Sequence, residues 1–145
     1  MTSTPLPDFG TEFDARALAE AGWSIRPAQG RGERQALEVY AREQLIDVLV
    51  FSRLSAPVLC GAWQSGRGQH ASVLVWGHAA PEGGLPTVEL SHRSGLFRRA
   101  SVHTATPVAA DAFWLALFDG PAHRVRVATT TGRAECARVR AGGRR

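Results

Sequence analysis

The chain has 145 residues, of which 44% are hydrophobic and 21% charged, with a formal net charge of +4. That length and balance suit one folded unit with a real core, and they argue against wholesale disorder. The longest apolar runs fall far short of the ~20 residues that a membrane-spanning helix needs. Charge is segregated along the chain: Leu90 to Arg145 hold ten arginines against Asp111, Asp119 and Glu135, whereas Met1 to Glu89 hold seven arginines against ten acids. A surface of one sign concentrates partners of the opposite sign, so the second half is expected to attract polyanions.

Lysine and asparagine are absent, isoleucine occurs only at Ile25 and Ile46, and tyrosine only at Tyr40. These residues have AT-rich codons, so the arginine bias reads as the mark of a GC-rich bacterial genome before it reads as selection for arginine chemistry. Where the arginines fall is therefore more informative than their identity. The N-terminal segment has no basic cluster followed by an apolar run, which leads to the expectation of a cytoplasmic protein. Cys60 and Cys136 lack CxxC spacing and read as reduced, small core residues.

In chain order, residues 1–10 contain Pro5, Pro7 and Gly10 and read as an extended arm. Thr11 with Asp14 resembles a capping box, and Gly22 supplies a stop, so a short helix is predicted over Glu12 to Ala21, with Phe13, Ala17 and Leu18 inward. Gln35 to Arg42 fits both periods: Leu37, Tyr40 and Ala41 suit a helix, and Leu37, Val39 and Ala41 suit a strand. The helical period is slightly favoured. Leu45–Ser52 and Val58–Trp63 are predicted strands, and Ser65 to His70 is a loop joining Val58–Gln64 to Ala71–His78 as a hairpin. After a turn at Pro81 to Gly84, Pro86–His92 and Leu96–Thr104 form a further hairpin around Arg93 to Gly95, with Phe97, Arg99, Ser101 and His103 on one face. Thr106-Pro107 is a strong helix start and Gly120-Pro121 a strong stop, so Val108–Phe118 is predicted to be a helix. Its apolar stripe would be Ala110, Phe113, Trp114, Leu117 and Phe118.

The last hairpin carries the functional expectation. His123–Thr129 and Arg133–Arg140 are joined by Thr130, Thr131 and Gly132, with Gly132 left-handed. That register puts Val125 and Val127 on one face with Ala137 and Val139. The other face collects Arg124, Arg126, Arg138 and Arg140, with Arg124 directly across from Arg138. Like charges so placed oppose pairing by roughly a few tenths to 1 kcal/mol, a cost that solvent or a bound polyanion relieves. A two-stranded ribbon can enter a DNA major groove or lie along phosphates, and Arg144 and Arg145 beyond Gly142-Gly143 would extend its footprint.

Other chemistry is weaker. The Gly-Arg-Gly triplets at Gly30–Gly32 and Gly66–Gly68 match no nucleotide-binding spacing and read as turns. His70, His78, His92, His103 and His123 show no metal-ligand spacing with either cysteine. Cys60 lies in an apolar run, where a thiol is unreactive. The expectation is thus a single α+β domain over 11–141, an antiparallel meandering sheet with two or three helices, between the 1–10 arm and a basic 142–145 tail. It is expected to be a non-enzymatic accessory protein, without cofactor or metal, that binds DNA or RNA through Arg124, Arg126, Arg138, Arg140, Arg144 and Arg145. Regulation or transfer of a mobile element such as a plasmid is the role that composition suggests. The rivals are a protein-interaction module, of the immunity or chaperone-like kind, contacting a partner through the acidic first half or through Trp63 or Trp76, and a small enzyme without a recognisable motif.

Overall fold

The protein is described by a computed structural model covering residues 15–29, 34–51, 57–80, 84–94 and 99–141. The expected arm, the Gly30–Gly32 triplet, most of the Pro81 to Gly84 turn, Phe97, Arg144 and Arg145 lie outside the described residues. Strands make up 63% of those that are described, and α1 (Ala15–Glu20) is the one α-helix among them. The α+β expectation with two or three helices is therefore corrected to a mostly β fold of three sheets.

Strands β1 (Trp23–Gln29), β2 (Gln35–Ala41) and β3 (Gln44–Val50) form a three-stranded antiparallel sheet in that order. The five-stranded sheet runs β12 (Arg140–Ala141), β4 (Gly61–Ser65), β5 (Ser72–His78), β9 (Phe113–Asp119), β8 (Val108–Ala110). The four-stranded sheet runs β11 (Ala134–Arg138), β10 (Arg124–Ala128), β6 (Thr87–Ser94), β7 (Arg99–Ala105). A single continuous meander is excluded, since β12 joins β4 in parallel.

The five-stranded sheet is the middle layer. Leu74, Trp76, Phe113 and Leu115 pack with Leu18, Trp23, Leu37, Val39 and Leu49 on the side of the three-stranded sheet. Val73, Val75, Trp114 and Ala116 pack with Val88, Leu90, Val125 and Val127 on the side of the four-stranded sheet. β5 and β9 are thus buried on both faces, and such strands read as continuous apolar runs instead of alternating ones. This is why Val108–Phe118 imitates a helix. The chain instead forms β8, a two-residue turn at Asp111-Ala112, and β9, with Ala110 opposite Phe113. Asp111 takes φ +56°, a left-handed conformation that Asp tolerates better than most residues.

Gln35–Ala41 is likewise a strand, not a helix. Leu37 and Val39 are buried while Glu38 and Tyr40 face outward, where the Tyr40 hydroxyl donates to Glu38 Oε1 at 3.0 Å. The following turn places Arg42 and Glu43 at φ +48° and +69°, the type I′ geometry usually given to Asn-Gly. With no asparagine in the chain, ordinary residues hold this conformation. At the first helix, Gly22 at φ +85° ends α1 as expected.

The segment before β4 ties the middle sheet to the four-stranded one. Glu135 accepts hydrogen bonds from the Val58 and Leu59 N–H groups at 3.0 and 3.2 Å, and Trp114 Nε1 donates to the Val58 carbonyl at 2.9 Å. That carbonyl lies over Gly77 so closely that any Cβ there would collide with it. The outer edge of β3 is capped: Val48 N–H donates to Asp47 Oδ1, and the Val50 carbonyl meets His78 Nε2 at 3.2 Å. Capped backbone groups are poor templates for another strand.

Candidate functional site

Local turn chemistry sets the basic ribbon. Thr129 N–H donates to the Arg133 carbonyl, the Gly132 N–H donates back to Thr129, and Gly132 sits at φ +89°. The three-residue loop therefore fixes the register expected from the sequence, with Arg124 opposite Arg138, Val125 opposite Ala137 and Arg126 opposite Cys136. Val125 and Val127 are buried against the middle sheet, which forces the intervening arginines outward. Arg124, Arg126 and Arg138 are exposed on that outer face.

The ribbon is also part of a larger sheet. β10 pairs with β6, so Arg124 stands beside Ser91 and Arg126 beside Glu89. Arg93, two residues beyond Ser91, shares the face and is exposed. The Arg93 to Gly95 pattern predicts a loop, whereas the β6–β7 ladder continues through Arg93 opposite Ala100. Glu89 is the acid that answers these four arginines. Its carboxylate lies 3.8 Å from Arg126, both side chains being about half exposed, a pair of little energetic weight. Among the described residues no carboxylate comes within ion-pair distance of Arg93, Arg124 or Arg138. Arg133 is oriented differently, 3.2 Å from Glu135.

Arg140 departs from the expected ribbon. Val139 N–H donates to the His123 carbonyl, and the chain then enters β12, where Arg140 pairs with Trp63 of β4. It therefore stands at the seam between two sheets, with Arg138 on the neighbouring strand end. Both border a cleft of about 580 Å³ that Ile46, Asp47, Cys60, Trp63 and Trp76 also line.

Cys136 is exposed on the arginine face, which corrects the expectation that it is core. Cys60 is partly buried and meets a histidine that no sequence spacing suggested: its Sγ lies 3.0 Å from His78 Nδ1. His78 Nδ1 also lies 3.2 Å from the Pro57 carbonyl, toward which the Cys60 thiol donates at 3.7 Å, and Nε2 lies 3.2 Å from the Val50 carbonyl. Burial, reinforced by the Asp47 carboxylate, pushes this thiol up to about 12. A thiol held protonated in this way is a hydrogen-bond donor, not a nucleophile. The rings of His92 and His123 stack at 4.5 Å, and Arg93 N–H donates to His123 Nδ1. Among the described residues no three His, Cys, Asp or Glu side chains gather as a metal site would require, and no helix is long and apolar enough to cross a membrane. No family model matches the chain, and no match is found among the curated proteins or the solved structures.

Proposed function

We propose that this chain is a non-enzymatic accessory protein that binds the phosphate backbone of nucleic acid on the outer face of its four-stranded sheet. One observation carries the reading: strand register gathers Arg93, Arg124, Arg126 and Arg138 on one exposed face with Glu89 as the acid among them. Arg140 extends the same charge across the seam. Guanidinium groups so spaced can each replace a condensed counterion on a phosphate, which gives affinity without sequence readout. The physiological role proposed for this binding is regulation or transfer of a mobile element in a GC-rich bacterium, an association that composition alone suggests.

The test is fluorescence anisotropy with labelled DNA and RNA at low salt, comparing wild type with a variant carrying Arg124→Gln, Arg126→Gln, Arg138→Gln and Arg140→Gln. These changes keep side-chain hydrogen bonding and remove four exposed charges. Loss of binding with an unchanged fold supports the reading, and a wild type that binds neither ligand refutes it.

A second reading has its own observation. Leu45, Val48, Val50 and Phe51 are exposed at 47, 44, 39 and 38%, an apolar strip along β3 and its end in the acidic half of the chain. Such a strip suits a protein partner. Retained binding to a protein by the four-glutamine variant, together with no affinity for nucleic acid in the wild type, would favour it.

A further inference from the structure

The cleft bounded by Arg138 and Arg140 combines three kinds of chemistry. Two tryptophans line it: Trp76 is 3% exposed, its indole packed against Gly61, where an added Cβ would stand 2.5 Å from Cζ2, and Trp63 is partly buried. One acceptor is present, Asp47, whose Oδ2 takes the Trp76 Nε1–H at 2.6 Å and whose Oδ1 takes the Val48 N–H. A carboxylate has about four lone-pair positions, so two bonds leave capacity for another donor. Two exposed arginines stand at the rim, on strand ends continuous with the basic face. The volume, about 580 Å³, lies within the usual range for small-molecule sites.

A second cleft, about 620 Å³, serves as a contrast. Glu20 and Asp119 line it with Arg42, and it holds no Trp, Phe or Tyr. It offers neither a stacking surface nor an excess of positive charge. The first cleft has the partly buried Trp63 in its lining and two arginines against Asp47.

We infer that the cleft between β3, β4 and β12 receives one unpaired base of a single-stranded nucleic acid, stacked beside Trp63, while flanking phosphates lie on Arg138 and Arg140. The inference rests on the phosphate-binding reading and adds to it a preference for unpaired strands. A base within a duplex is stacked and paired, so it cannot enter a side cleft without being extruded, whereas a single strand presents its bases freely. Arg138 and Arg140 are two residues apart and both line the cleft. Asp47 accepts from an amino or imino N–H of the base, which every natural base except an N-substituted one at that edge can supply.

The experiment uses a fluorescein-labelled single strand of about twelve nucleotides, within the lengths that single-strand binders cover. Its two comparators are the same strand with abasic sites and the corresponding duplex. The wild type is expected to bind the intact strand at least about fivefold more tightly than either comparator, from the usual worth of one base stacked on an aromatic ring. Trp63→Leu keeps an apolar side chain but removes the ring, and is expected to erase that preference while leaving affinity for the abasic strand unchanged. Trp63→Phe is expected to keep most of it. Equal wild-type affinity for intact and abasic strands overturns the inference, as does a preference that survives Trp63→Leu. If all three ligands bind alike and the four-glutamine variant loses them all, the phosphate reading stands and the base cleft falls. Absence of binding to all three refutes both. Should Trp63→Leu fail to fold, the intact and abasic strands on wild type decide the matter alone.

Discussion

Replacing Glu135 by alanine tests how the sheets that carry the basic face are joined. Its carboxylate accepts from two backbone N–H groups, Val58 at 3.0 Å and Leu59 at 3.2 Å, on residues that are 2 and 8% exposed. Each buried donor left unsatisfied costs about 1–3 kcal/mol. The Glu135 side chain is itself 21% exposed, so water reaches part of the gap, and the lower half of the combined range applies, about 2–4 kcal/mol. Glu135→Gln retains one amide oxygen as acceptor and should cost about half as much. Loss of the Arg133 ion pair adds little, because that guanidinium is half exposed. For a chain of this size the alanine variant should melt roughly 5–15 °C lower. Thermal unfolding followed by circular dichroism, with urea midpoints at constant m, provides the measurement. A Glu135→Ala protein within about 0.5 kcal/mol of wild type would refute the claim that this carboxylate secures the seam, since that is the scatter of ordinary surface substitutions.

Three further outcomes follow from the geometry. The double change Arg42→Asn with Glu43→Gly places preferred residues at the two left-handed positions of the β2–β3 turn and should raise stability by about 1 kcal/mol, read as a higher urea midpoint; a lower midpoint would contradict the turn assignment. Native protein treated with a maleimide at neutral pH should be modified rapidly at Cys136 and slowly at Cys60, whose thiol stays protonated until about 12. Raising the pH above ~9 lets the unfolded chain ionise Cys60 while the folded one retains its proton, so stability should fall through that alkaline window. Equal labelling of both thiols would contradict the placement of Cys60.

The parts of the fold that were legible in the sequence are those set by neighbouring residues. The β10–β11 ribbon could be read because valine and arginine alternate strictly and Gly132 marks the turn. The β4–β5 hairpin and the Gly22 stop were legible for the same reason. β9 was not, because burial on both faces removes alternation, and Thr106-Pro107 and Gly120-Pro121 delimit a strand pair as well as they delimit a helix. β2 was ambiguous until its neighbours on both sides decided it. Cys136 is instructive: it has the parity of Arg126 and Arg138, so the ribbon register already implied its exposure. Arg93 joins the face because the β6–β7 ladder runs further than the Ser-Gly pair at 94–95 suggested. The cleft and the Cys60–His78 contact depend on β3, β4, β5 and β12 converging from distant parts of the chain, which no local pattern encodes.

The salt dependence of binding separates phosphate contact from every other use of the basic face. With Arg93, Arg124, Arg126, Arg138 and Arg140 each contacting one phosphate, log affinity for duplex DNA should fall with log salt at a slope of about −4 to −5, from ~0.9 per phosphate. The variant with glutamine at positions 124, 126, 138 and 140 should show a slope shallower than about −1, since Arg93 remains as the described cation on that face. A wild-type slope no steeper than that of the variant would contradict the account.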